Sequence, residues 1–171
     1  HLNFSGSITW NFSKGRYYRY LEPSLGTTFI GVKHNSSTPA NFTAGWINTL
    51  DYRIAASQYL QSAQKDEFPR FGQTVKATYR HTPFSKNDMG SILGVDANFY
   101  FPGIFRHQGT WIYAGFQQRN DKDVYGYSFS NLIAYPRGYH DAYDENLLSL
   151  RINYKLPLWY PDFSLGSVIY L

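Results

Sequence analysis

Cysteine is absent from this chain, and methionine occurs once. No disulfide framework, thiolate metal site or cysteine nucleophile is therefore available. Charge is scarce too, at 16% of residues, and no window approaches the roughly 18 apolar residues that a membrane-spanning helix requires. The balance of 16 Lys+Arg against 12 Asp+Glu gives +4, but Arg16, Lys33, Lys76, Arg80 and Arg151 are dispersed. A nucleic-acid surface needs a clustered basic stripe, so nucleic acid is not an expected partner. No P-loop, dinucleotide fingerprint or nucleophile-elbow serine occurs. His34, His81, His107 and His140 lack ligand spacing, and Asp141, Asp144 and Glu145 match no calcium loop. The expectation is a protein that is not an enzyme, with no catalytic residue, no metal and no cofactor.

What the chain does have is aromatic residues, 19% of the total, among abundant Gly, Ser, Thr and Asn. Its 171 residues suffice for one domain, and 1–171 is read as a single barrel domain or barrel segment. From Leu2 to Ser13 the even positions are Leu2, Phe4, Gly6, Ile8, Trp10 and Phe12, against Asn3, Ser5, Ser7, Thr9, Asn11 and Ser13. Side chains of a strand alternate between faces, so this segment has one apolar and one polar surface. The pattern returns as Leu148, Leu150, Ile152, Tyr154, Leu156 and Leu158, opposed by Ser149, Arg151, Asn153 and Lys155.

Weaker alternation predicts strands near 24–34, 41–56, 70–82, 90–101 and 107–119, with a last one at 162–171. Segment 107–119 is ambiguous, because Trp111 and Tyr113 alternate against Ile112, Ala114 and Phe116. Each run has about ten residues, the length of a tilted strand crossing a bilayer. Charged members fall on the polar face, while Trp10, Phe12, Phe101, Trp111 and Trp159 lie near strand ends, as interfacial girdles do. The expected fold is all-β: an antiparallel transmembrane β-barrel with about eight strands visible. Its partner is the lipid bilayer. Short connections at 102–106 and 157–161 belong at one end, and the long polar stretch 120–145 at the other. Alternation then places 35–40 and 83–89 with the long loop, and 14–23 and 57–68 with the short turns.

The long loop contains Tyr135-Pro136-Arg137-Gly138-Tyr139, and the strand after it reads Asn153-Tyr154-Lys155-Leu156-Pro157-Leu158. These elements resemble the Omp85 superfamily of outer-membrane barrels. That family carries an aliphatic-Arg-Gly-aromatic tetrapeptide at the tip of its sixth external loop, then a strand with an aromatic-basic-aliphatic-Pro ending. Pro136 stands where the family has an aliphatic residue. The segments Arg80-His81-Thr82-Pro83-Phe84 and Phe99-Tyr100-Phe101-Pro102-Gly103 resemble a Bacteroidetes-type branch.

The resemblance implies a barrel of about sixteen strands in a bacterial outer membrane, of which this chain is part. It also implies a machine that inserts or translocates client polypeptides. The loop motif Pro136, Arg137, Gly138 and Tyr139 would fold into the lumen, where a guanidinium needs a carboxylate. Asp51 and Asp96, both expected to face inward, are candidate partners within the chain, and the resemblance places the family's own acidic partner beyond Leu171. Two other readings stay open. One is a complete small eight-stranded outer-membrane barrel acting as anchor, adhesin or narrow pore. The other is a soluble eight-stranded lipid-binding barrel.

Overall fold

The computed structural model describes residues 1–33, 44–61, 68–84, 88–105, 107–120, 128–135, 138, 144–156, 164–165 and 169–170. They form an all-β chain with no helix among the described residues. The strands of the main sheet are β1 (Leu2–Ser7), β2 (Trp10–Asn11), β3 (Tyr17–Val32), β4 (Gly45–Leu60), β5 (Gly72–His81), β6 (Ser91–Pro102), β7 (Gly109–Asn120) and β8 (Asn146–Lys155). They make one antiparallel sheet of 8 strands in the order β1-β3-β4-β5-β6-β7-β8, with β2 also pairing β3. β1 and β2 share the place beside β3, and every other neighbour in the sheet is next along the chain, so the architecture is a meander.

The break between β1 and β2 has a local cause. Ile8 donates its N–H to the Pro23 carbonyl at 3.2 Å. Proline has no N–H to return, so the ladder is interrupted at Ile8 and Thr9 and resumes with the Trp10–Leu21 pair. The register does not slip across the gap.

Three expectations are corrected. β3 begins at Tyr17 rather than near residue 24, because the turn before it is tight. Lys14 and Tyr17 exchange backbone hydrogen bonds at 3.0 and 3.2 Å around Gly15, whose φ of +62° favours glycine. β4 runs to Leu60, which shortens the connection expected at 57–68. In place of one last strand over 162–171 there is a small separate pair, β9 (Ser164–Leu165) with β10 (Ile169–Tyr170).

Register settles which residues share a face. Leu50, Tyr52, Ile54 and Ala56 on β4 pair with His81, Tyr79, Ala77 and Val75 on β5. The same face continues through Leu93, Val95 and Ala97 on β6, Phe116, Ala114 and Ile112 on β7, and Leu148, Leu150 and Ile152 on β8. Its large side chains are bare: Leu148 is 78% exposed, Ile152 66% and Phe4 60%.

The opposite face carries Glu22, Asp51, Arg53, Lys76, Arg80, Asp96, Arg119 and Arg151. The ambiguous β7 is resolved in this frame. Trp111 and Tyr113 point to the polar face, where Trp111 donates Nε1–H to Asn98 Oδ1 at 2.9 Å. Trp111 is therefore not part of an outward girdle. Trp159 lies outside the described residues.

The buried apolar core is small and sits on the polar side. Ile47, Met89, Ile92 and Phe129 form it, with Ile30, Val32 and Leu132 packed around. It closes the end of that face nearest the long connections. At the short-turn end Phe68 fills the same role, its ring centroid 5.9 Å from Tyr100 and 6.4 Å from Trp111. Between these two apolar ends lies polar ground.

Candidate functional site

That ground is a trough. A hollow of about 390 Å³ is lined by side chains from β1, β3, β4 and β5, among them Asn3, Ser5, Asp51, Lys76 and Arg80, and by Leu132 from the long connection. Its charges meet in cross-strand pairs. Arg80 donates Nε–H to Asp51, its register partner on β4. Lys76 Nζ lies 2.9 Å from Asp96 Oδ1, again directly across the ladder. Arg53 reaches Glu22 at 3.8 Å and donates to Ser24 Oγ at 3.1 Å. Opposite charges side by side on one face are what such a ladder favours.

Asp51 and Asp96 both lie on the polar face of the sheet, and each is engaged by a strand cation. Of the loop motif, Pro136, Arg137 and Tyr139 lie outside the described residues. Gly138 is described, exposed, with φ +88°. That conformation suits glycine and opposes any L side chain.

The stretch immediately before the motif is laid across the polar face of β6 and β7. Gln117, with no exposed surface, holds it from both chemical ends: its Nε2–H donates to Asn131 Oδ1 at 2.8 Å, and its Oε1 accepts Leu132 N–H at 2.7 Å. Arg119 donates Nη1–H to the Phe129 carbonyl at 2.5 Å and Nη2–H to Asn131 Oδ1 at 2.8 Å. Tyr113 accepts Ala134 N–H at 3.0 Å, and Arg151 donates to the Tyr135 carbonyl. A buried loop would leave backbone polar groups unpaired, and here the sheet's own side chains satisfy them.

Gly94 makes the seat. A Cβ built there would stand 2.7 Å from Leu132 Cβ, a distance real Cβ atoms do not adopt. Only a residue without a side chain lets the segment lie so close to the sheet. Arg80 completes the seat from β5, its guanidinium 5.9 Å from the centroid of the Phe129 ring.

Gln117, Asn131, Tyr113 and Gly94 carry this arrangement, and sequence reasoning did not single them out. One signal was present. Gly94 and Gly115 occupy polar-face positions in otherwise bulky strands, and a strand glycine marks close approach of another backbone or ring. Gly115 does so for the Tyr113 ring, since a Cβ there would meet the Tyr113 hydroxyl at 2.8 Å.

Among the described residues no group of three His, Asp or Glu side chains could hold a metal ion. The class these features define is an antiparallel all-β protein with one bare apolar face and one polar face overlaid by its own long connection. No family model, curated protein or solved structure matches the chain.

Proposed function

We propose that this chain forms the wall of a bacterial outer-membrane β-barrel that assists the insertion or translocation of polypeptides. In this reading the bare face meets lipid, the trough is part of the lumen, and the 128–135 segment delivers the Arg137-Gly138 motif into it. Hydrocarbon cannot satisfy backbone N–H and C=O groups, so a sheet crosses it only as a closed barrel. Among the described residues β1 and β8 each have a neighbour on one side only. Free edges of this kind pair with further strands, either of the same barrel or of a client. Strand pairing and burial in lipid supply the driving force, so no hydrolysable cofactor takes part.

The observation that carries the reading is the opposition of the two faces. Large apolar side chains are uncovered on one side, while Gln117, Arg119 and Tyr113 tie down the approach to the motif on the other. The test is Arg137→Ala in the intact protein within its own cell. The expected result is an unchanged level of folded barrel in the outer membrane and a sharp fall in client assembly or secretion. Normal client handling by a stably folded Arg137→Ala protein overturns the proposal.

A further inference from the structure

Arg19 is out of place on the apolar face. It is the sole charged side chain on that face among the described strand residues, since every other strand cation and carboxylate has the opposite parity. Its guanidinium stands 5.5 Å from the centroid of the Tyr17 ring. In register beside it lie Gln58 on β4 and Gln73 on β5, so three hydrogen-bonding side chains form a row across neighbouring strands. The next row inward is Leu21, Ala56, Val75 and Ala97, which is wholly apolar.

The row borders a hollow of about 260 Å³ on the same end of the sheet, with Gln58 and Gln73 in its lining and Tyr17, Phe71, Phe99 and Phe101 as aromatic walls. Arg19 stands just outside that lining, beside Gln58 and Tyr17, so a guanidinium and two amides next to aromatic walls form a site with donors in excess, suited to an oxyanion carried on an apolar body. Arginine's planar fork matches phosphate oxygens, and its stacking on Tyr17 presets the orientation.

We infer that this row is a headgroup site for an anionic phospholipid of the leaflet on the short-turn side. Arg19 and the two glutamines hold the phosphate, and the acyl chains run inward over Leu21, Ala56 and Val75. The depth is consistent with that occupant. Arg19 stands two residues from the start of β3, where a lipid-facing cation is tolerated, whereas at the bilayer midplane it is strongly disfavoured. The inference rests on the lipid-facing reading of the apolar face proposed above.

Because the chain has no cysteine, single reporters can be placed cleanly. Ala56→Cys puts a near reporter one row inward of Arg19, and Leu150→Cys puts a distant reporter on β8. Each is labelled with a small fluorophore and reconstituted in neutral phosphatidylcholine vesicles. A fixed fraction of the lipid is then replaced by brominated phosphatidylglycerol or brominated phosphatidylcholine as quencher.

The expected result is preferential quenching of the near reporter by phosphatidylglycerol, with local enrichment of about fivefold over the distant one, the selectivity of one basic side chain near anionic lipid. Arg19→Gln, an exposed substitution, should abolish the preference while leaving total quenching intact. Equal quenching of the near reporter by the two lipids, or a preference that survives Arg19→Gln, overturns the headgroup site but leaves the membrane reading standing. Absence of quenching at both reporters overturns the membrane reading itself, and the headgroup site with it.

Discussion

The two faces of the sheet are built from the same strands yet stabilised in opposite ways. On the polar face nearly every large group has a partner: Asp51 with Arg80, Lys76 with Asp96, Gln117 with Asn131 and Leu132. On the other face Leu148, Leu150 and Ile152 are largely exposed, and among the described residues the Tyr52, Tyr79 and His81 rings cluster with one another, the Tyr79 and His81 centroids 5.2 Å apart. A water-soluble sheet of this composition would invert the arrangement, because burial of apolar area is the main favourable term in water. Among the described residues no segment of the chain covers the apolar face, and on the reading proposed above the surrounding lipid does. Patches of this extent on a sheet face mark a binding or membrane surface.

The largest expected effect tests that lesson directly. Leu150→Arg places a cation on the apolar face, midway along β8. If the face meets lipid, the variant loses about 2–4 kcal/mol of stability in bilayers, as lipid-facing cations near the midplane do. A matched Ser5→Arg on the trough side, exposed and across the ladder from Gly26, costs far less. Urea unfolding of both variants in vesicles reads the contrast. Equal effects at the two sites would dissolve the distinction between the faces.

Second in size is the seat of the loop segment. Gly94→Val forces a side chain into Leu132, and overpacking of this kind costs about 1–3 kcal/mol. The cheapest relief is for the 128–135 segment to lift away. Limited proteolysis within that segment should therefore accelerate while the strands stay protected. Unchanged cleavage would show that the segment does not depend on Gly94. Gln117→Leu complements it, since it removes both bonds to the segment with little change in volume and leaves Leu132 N–H and the Asn131 side chain without that partner, at about 1–3 kcal/mol.

How much of this was legible in the sequence depends on what fixes each feature. Most strand positions and face assignments were legible, because period-two alternation is imposed by backbone geometry and holds wherever one side is apolar. Asp51 and Asp96 facing the polar side follow from that rule alone. Their partners did not follow, since which cation stands across the ladder depends on register, and register is a property of two strands at once.

The strand β7 was legible but its facing was ambiguous, for a related reason. Trp111 and Tyr113 are large aromatics on the polar face, accepted there because Asn98 takes the Trp111 N–H and Ala134 donates to the Tyr113 hydroxyl. Composition treats such residues as apolar, whereas their polar handles decide the side. The seat of the loop was least legible of all. It needs Gly94, Gln117 and Phe129, separated along the chain, to converge on one place, and the strand glycine that marks a close approach does not say which segment approaches.

Ion pairs on the trough side grade the remaining effects. Asp51→Ala leaves Arg80, which is 27% exposed, facing a vacated partner, and solvent compensates part of the loss. A cost of about 1–2 kcal/mol is expected, between the values for exposed and buried pairs. Asp51→Asn should recover part of it by retaining an acceptor for the Arg80 Nε–H. Failure of Asn to improve on Ala would remove the hydrogen bond from the account of that pair.

The smallest effect belongs to Glu22 and Arg53. Their separation of 3.8 Å, with side chains 37% and 48% exposed, puts them among solvent-screened pairs worth less than about 0.5 kcal/mol. Arg53 also keeps its bond to Ser24 Oγ when Glu22 is changed. Glu22→Gln should therefore leave the unfolding midpoint in vesicles unchanged within error, both at low salt and at high salt. A clear, salt-sensitive loss would mean that Glu22 stands in a drier setting than its exposure implies. The trough would then be enclosed enough, around β3 and β4, to strengthen charge interactions that an open groove would screen. Either result bears on the comparison of faces, because the dielectric at Glu22 measures how far the polar side is shut off from bulk water.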